Sequence, residues 1–186
     1  MRQLSIMVDL DRCIGCKTCI VACRNHHNLV DHENAMPGNM RYYLRVESEL
    51  TGTYPNLAED TWVVMCQHCK NPPCVKACES SAISKDLQTG IVLIDQKKCV
   101  GAKKCIEKCP YHVIQFDIEK NCAHKCDLCY DRVVHGHDPV CVEVCMADAL
   151  SFGEREILLM QAEATGKKVI KKKSTQSILY VKSSKN

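Results

Sequence analysis

Aromatic side chains are scarce: two Phe and one Trp stand among 186 residues. Rings of this kind usually supply much of a core's buried area, so something else must fill the interior. Long apolar runs are missing too. Charged residues interrupt every one, which excludes a membrane-spanning helix. The opening stretch, MRQLSIMVDLDRC, lacks the apolar region and small-residue cleavage site of a secretion signal. Neither G-x-G-x-x-G nor G-x-x-x-x-G-K-[ST] occurs, so nicotinamide, flavin and ATP sites are not indicated. Charge of one sign is also absent. Against 25 Lys and Arg stand 22 Asp and Glu, which leaves no electrostatic footprint for nucleic acid.

What the chain has instead is sixteen cysteines. Such a density means disulfides or metal. Disulfide scaffolds belong to small secreted chains, so thiolates on metal in a reducing compartment fit better. The expected location is cytoplasmic, with export alongside a partner subunit left open.

Fifteen of the cysteines fall into four runs. The first is an uninterrupted C-x2-C-x2-C-x3-C: Cys13, Cys16, Cys19 and Cys23. The second, CQHCKNPPCVKAC, gives Cys66, Cys69, Cys74 and Cys78. The third, CVGAKKCIEKCPY, gives Cys99, Cys105 and Cys109, with Ala102 where a cysteine is expected. The fourth gives Cys126, Cys129, Cys141 and Cys145, in C-x2-C-x11-C-x3-C spacing. The spacing C-x2-C-x2-C-x3-C-P is that of bacterial ferredoxins, where three thiolates hold one cubane and the fourth reaches its neighbour. Iron at each cubane corner needs a soft anionic ligand, and three on one tight loop hold one face.

Under that rule the first cluster takes Cys13, Cys16, Cys19 and Cys145. A second takes Cys126, Cys129, Cys141 and Cys23. A third takes Cys66, Cys69, Cys74 and Cys109. The fourth has only Cys99, Cys105 and Cys78. Four outcomes stay open at this defective site: a three-iron cluster, a four-iron cluster with another ligand, replacement by the extra Cys122, or no cluster. The cofactors expected are therefore three [4Fe-4S] clusters and a fourth site that is [3Fe-4S], atypical [4Fe-4S] or empty. At roughly two negative charges per four-cysteine cluster, the loaded protein should be net acidic.

The chain organises around these runs. Residues 3–10 and Thr61–Met65 read as strands leading into the first and second runs. Residues 79–98 read as a hairpin turning at Thr89-Gly90, and Ala147–Phe152 as a strand after the last cysteine. The fold expected is α+β, with two ferredoxin-like lobes of the dicluster kind, one inserted in the other. Residues 1–60 plus 115–153 form the outer lobe, carrying runs one and four and a partner-facing insertion at 24–60. Residues 61–114 form the inner lobe with runs two and three. Residues 154–186 read as a helical and basic docking tail with Lys167, Lys168 and Lys171–Lys173, and Ile178–Val181 as an edge strand. His26, His27, His68, His112, His135 and His137 read as polar loop residues.

The four runs, with PPCVKAC, GIVLIDQKKCVG and KCDLCYDRV, resemble the four-cluster electron-transfer subunits of molybdenum and tungsten oxidoreductases. These include the dimethyl sulfoxide, polysulfide and formate dehydrogenase types and the small subunits of tungsten aldehyde oxidoreductase and benzoyl-CoA reductase complexes. The resemblance covers about residues 3–153. It implies a chain without a catalytic site that relays single electrons. Its implied partners are a large pterin-bearing subunit and a second redox subunit or ferredoxin, with no nucleic acid and no direct membrane span. A free-standing polyferredoxin is the alternative. Two other readings fit less well. Cys122, Cys126 and Cys129 have radical-SAM spacing, but no barrel-sized sequence follows. Zinc uses paired C-x2-C knuckles, whereas a C-x2-C-x2-C triplet suits a cubane face.

Overall fold

The computed structural model describes residues 3–29, 42–170, 175 and 177–183. In chain order its elements are β1 (Leu4–Asp9), α1 (Thr18–His26), β2 (Arg45–Thr53), β3 (Asn56–Val64), α2 (Pro73–Lys76), β4 (Ile83–Lys85), β5 (Val92–Ile94) and α3 (Lys104–Glu107). Then follow β6 (Gln115–Asp117), β7 (Cys122–His124), α4 (Tyr130–Val134), α5 (Val140–Glu143), β8 (Leu150–Glu154), α6 (Arg155–Ala164), β9 (Lys167–Val169) and β10 (Ile178–Ser183).

The largest sheet has the order β8-β1-β10-β9. β1 runs antiparallel to β8 and parallel to β10, so Ile6 stands opposite Phe152 on one side and Ile178 on the other. The two inner strands read SIMV and ILYV, near-continuous apolar runs suited to burial on both faces. Ile6, Val8, Ile178, Leu179 and Val181 are fully enclosed. Helix α6 packs on this sheet. Its buried residues are Leu158 and Ala162, one turn apart on one face.

Ile178–Val181 therefore do not form the edge strand expected. β10 lies between β1 and β9, in the sheet's interior rather than at its edge. Its apolar residues serve both faces, which a solvated tail could not do. Lys167 is no free docking charge either, because it pairs with Asp9 and Asp11. Lys171–Lys173 lie outside the described residues, as do residues 30–41 of the expected insertion.

Three small hairpins complete the strands: β2 with β3, β4 with β5, and β6 with β7. The turn expected at Thr89-Gly90 is present, closed by the Thr89 hydroxyl donating to Asp86 at 2.6 Å. The β2–β3 ribbon is longer than the sequence indicates. Its outer half exposes Leu50, Tyr54 and Leu57, while Trp62, Val63 and Val64 at its base are buried.

Short helices follow the cysteine loops. Cys19 and Cys23 lie on α1, Cys74 on α2, Cys105 on α3 and Cys141 on α5. In every run the last two cysteines are four apart, which stacks them on one face of a helical turn. α1 packs against α5, and α2 against α3.

Candidate metal centres

All sixteen cysteines are free thiols. Fifteen of them gather in four groups. Cys13, Cys16, Cys19 and Cys145 ring a hollow of about 360 Å³, walled by Val46 and Val63 at the base of the ribbon and by Leu150. Burial pushes the Cys19 thiol up to about 11, and Cys16, Cys13 and Cys145 add to the push. Cys16 is the exposed member, and the Thr18 hydroxyl and N–H hold its thiol below the ordinary value.

Cys23, Cys126, Cys129 and Cys141 form the second group. Burial raises Cys23 first, then Cys141 and Cys129. Cys129 is raised to about 11, mainly by burial. The backbone N–H of Leu128 donates to Cys126 Sγ at 3.4 Å. His27 Nε2 lies 3.6 Å from Cys129 Sγ. His27, in the turn after α1, is largely enclosed against Tyr43, whose ring centroid is 4.9 Å away, and so is not the exposed residue expected.

Cys66, Cys69, Cys74 and Cys109 ring a hollow of about 320 Å³. Burial lifts Cys74 to about 11, with Cys66 adding and the Lys125 charge opposing. Lys125 is itself buried. Its ammonium donates to the carbonyls of Val92 and Cys126, the latter at 3.0 Å. It therefore sets a cation between the second and third groups.

Cys78, Cys99 and Cys105 line the fourth hollow, of about 380 Å³, together with Ala102, Lys103 and Ala123. Burial raises Cys105, and Cys99 and Cys78 reinforce it. The N–H of Ala123 donates to Cys99 Sγ at 3.4 Å. Because Ala123 faces this hollow, its strand neighbour Cys122 faces the other way. Cys122 is buried beside Tyr43, whose hydroxyl is raised by burial and by a set of acids and thiols that includes Cys122. The structure thus does not bring Cys122 to the defective site.

The groups are linked. Cys19 acts on Cys141, joining groups one and two, and Cys66 acts on Cys126, joining groups two and three. Cys74 on α2 and Cys78, just past its C-cap Ala77, join groups three and four.

The residues fit iron–sulfur clusters. Thiols clustered this tightly repel as thiolates, and burial adds to the cost, so a cation must compensate them. One buried donor also lacks a protein acceptor among the described residues: Nε2 of His68, beside the third hollow. The sequence reads His68 as a polar loop residue, yet it is wholly buried. The C-x-H-C pattern gives no sign of that, because its burial comes from β5 and β10, far along the chain.

Comparison with known proteins agrees. Residues 60–155 match the 4Fe-4S dicluster domain, and residues 6–26 match the 4Fe-4S binding domain. A sulfite dehydrogenase subunit of Allochromatium vinosum is 34% identical over 169 residues, which cover 83% of this chain and 70% of that one. A component of the anaerobic dimethyl sulfoxide reductase of Escherichia coli is 37% identical over 152 residues, 81% of this chain and 73% of its own. The thiosulfate reductase electron transfer subunit of Salmonella typhi is 33% identical over 177 residues, 94% and 88% of the two chains. No helix among the described residues is long and apolar enough to cross a membrane. With these matches laid over four groups of buried thiols, the chain belongs to the 4Fe-4S dicluster family of non-catalytic, iron–sulfur electron-transfer subunits of oxidoreductases.

Proposed function

We propose that the chain holds three four-iron clusters and one three-iron cluster in a row. Single electrons pass along that row between a large molybdenum- or tungsten-pterin subunit and a second redox partner. The ligand sets are Cys13, Cys16, Cys19 and Cys145; Cys23, Cys126, Cys129 and Cys141; Cys66, Cys69, Cys74 and Cys109; and Cys78, Cys99 and Cys105. The observation that carries this reading is the gathering of these thiols, three sets of them around hollows, with α1 packed on α5 and α2 on α3.

At the fourth site three thiolates hold three irons. The absence of Cys122 from that hollow's lining supports a three-iron cluster over a repaired four-iron one. Each cluster, when bound, supplies one-electron transfer. The protein's own work is to hold the sulfurs apart, exclude water and aim backbone N–H groups at them.

Two lobes, one inserted in the other, are the arrangement we favour. Pairing of β1 with β8 and packing of α1 on α5 support an outer lobe built from residues 1–60 and 115–153. Packing of α2 on α3 and the β4–β5 hairpin support an inner lobe at 61–114. Exposed residues stand at both ends of the row, Ile14, Lys17 and Met146 near the first group and Val100 and Lys103 near the fourth. Two exposed ends fit two partners, with the β2–β3 ribbon as a further contact arm.

Anaerobic co-purification with metal analysis tests this. A large pterin-bearing subunit should accompany the chain, and potentiometric EPR should resolve four centres. A chain that purifies alone and still exchanges electrons would favour a free-standing carrier.

A further inference from the structure

His68 sits between Cys66 and Cys69 and is 0% exposed. It lines the hollow ringed by Cys66, Cys69, Cys74 and Cys109. Its Nδ1 accepts the backbone N–H of Val92 at 2.9 Å. A ring nitrogen that accepts carries no proton, so the neutral imidazole keeps its proton on Nε2. Nε2 is enclosed and has no acceptor among the described residues. Buried donors of this kind are rare in folded proteins and call for a partner. The charged groups whose fields act on the ring are those of Lys125 and Lys85, and ammonium groups cannot accept. The ring is also held in place. Its backbone is left-handed at φ 37°, and the Ser177 hydroxyl, just before β10, donates to its carbonyl at 3.4 Å.

We propose that His68 donates an Nε2–H···S hydrogen bond to the cluster bound by Cys66, Cys69, Cys74 and Cys109, and so raises that cluster's reduction potential. The inference rests on the ligand set proposed above. Adding an electron increases the negative charge on the sulfurs, which strengthens a hydrogen bond to them and favours the reduced form. His68 acts here as a positioning residue and not as an iron ligand. Ligation needs a free lone pair, but Nε2 carries the proton and Nδ1 is engaged by Val92.

The test uses the loaded full chain with ring-¹⁵N-labelled histidine. Pulsed EPR of the reduced protein should show a weak nitrogen coupling on the signal that Cys74→Ala removes. His68→Asn keeps an acceptor near the Nδ1 position for Val92 but has no donor at the reach of Nε2. Asparagine also tolerates a left-handed backbone. This variant should lose the coupling and make reduction of that one cluster about tenfold less favourable, which is about 59 mV for one electron. His68→Gln restores an N–H at the Nε2 reach and should recover most of the shift. The other three midpoints should stay put.

An unmoved midpoint in a fully loaded His68→Asn protein overturns the inference. So does a large nitrogen coupling, which would mean direct ligation. Should His68→Asn fail to load, absence of the weak coupling in the unaltered labelled protein overturns it equally. A wild-type protein with no signal sensitive to Cys74→Ala would sink the ligand set itself. A silent His68 beside an intact cluster would sink only the hydrogen bond.

Discussion

At Cys16 the chain turns through Gly15 at φ 67° and Lys17 at φ 65°; at Ala102 it turns through Gly101 at φ 75° and Lys103 at φ 59°. In both loops the left-handed lysine caps a helix without a side-chain hydrogen bond. Cys16 and Ala102 both face solvent, while Cys19 and Cys105, three residues on, are buried. A left-handed non-glycine residue costs about 1–2 kcal/mol. A loop freed from cluster binding would have no reason to keep that cost. The third run keeps the shape and lacks one rim sulfur, which argues for a cluster one iron short rather than an abandoned site.

Removing the buried sulfur that both loops share gives the largest effect. Cys105→Ala leaves the fourth site two thiolates and should cost it about three irons, whereas Cys19→Ala leaves the first site three thiolates and should cost it about one. Metal analysis reads this directly, and the same loss from both variants would count against the difference between the sites.

Exchanging the rim position should come next. Cys16→Ala should make the first site resemble the fourth, losing about one iron and gaining a sharp, nearly isotropic EPR signal when oxidised. Ala102→Cys should do the reverse. If iron content and spectrum stay unchanged in Ala102→Cys, the three-iron assignment fails.

Much of this comparison is legible in the sequence. The C-x2-C-x2-C-x3-C spacing encodes a loop followed by a helical turn, and local chemistry fixes both, so the gap at Ala102 can be read directly. The Thr89-Gly90 hairpin is local as well. What cannot be read depends on distant pairing. Ile178–Val181 look like an edge strand until β9 is seen to cover them. His68 looks polar until Val92 and Ser177 are seen to enclose it. Cys122 looks like a spare ligand, and only the β6–β7 register turns it away from the fourth site.

Backbone changes should have intermediate effects. Gly15→Ala and Gly101→Ala each force a side chain into the left-handed region, costing about 1–2 kcal/mol. Gly15→Ala should cost more. Its Cβ would meet Thr61 Cγ2 at 3.0 Å on a paired strand, whereas at Gly101 the obstacle is the movable side chain of Asn121. Denaturant titration of loaded protein orders the two, and a costlier Gly101→Ala would contradict this reading.

The smallest change is at the lysines. Lys17→Gly relieves the left-handed strain and should stabilise by up to about 1 kcal/mol. Lys103→Gly should gain less, because Lys103 lies 4.3 Å over the Phe116 ring and such a contact is worth about 0.5–1 kcal/mol. Thermal midpoints of the two variants check this, and an equal gain would mean that the ring contact contributes nothing.

The most direct measurement is an iron and sulfide count with EPR on the unaltered protein, purified without oxygen. The account predicts about fifteen irons per chain, three fours and one three, with one isotropic signal in the oxidised state. About twelve irons with no such signal would contradict it by showing an empty fourth site. About sixteen would contradict it by showing that another side chain completes the cube.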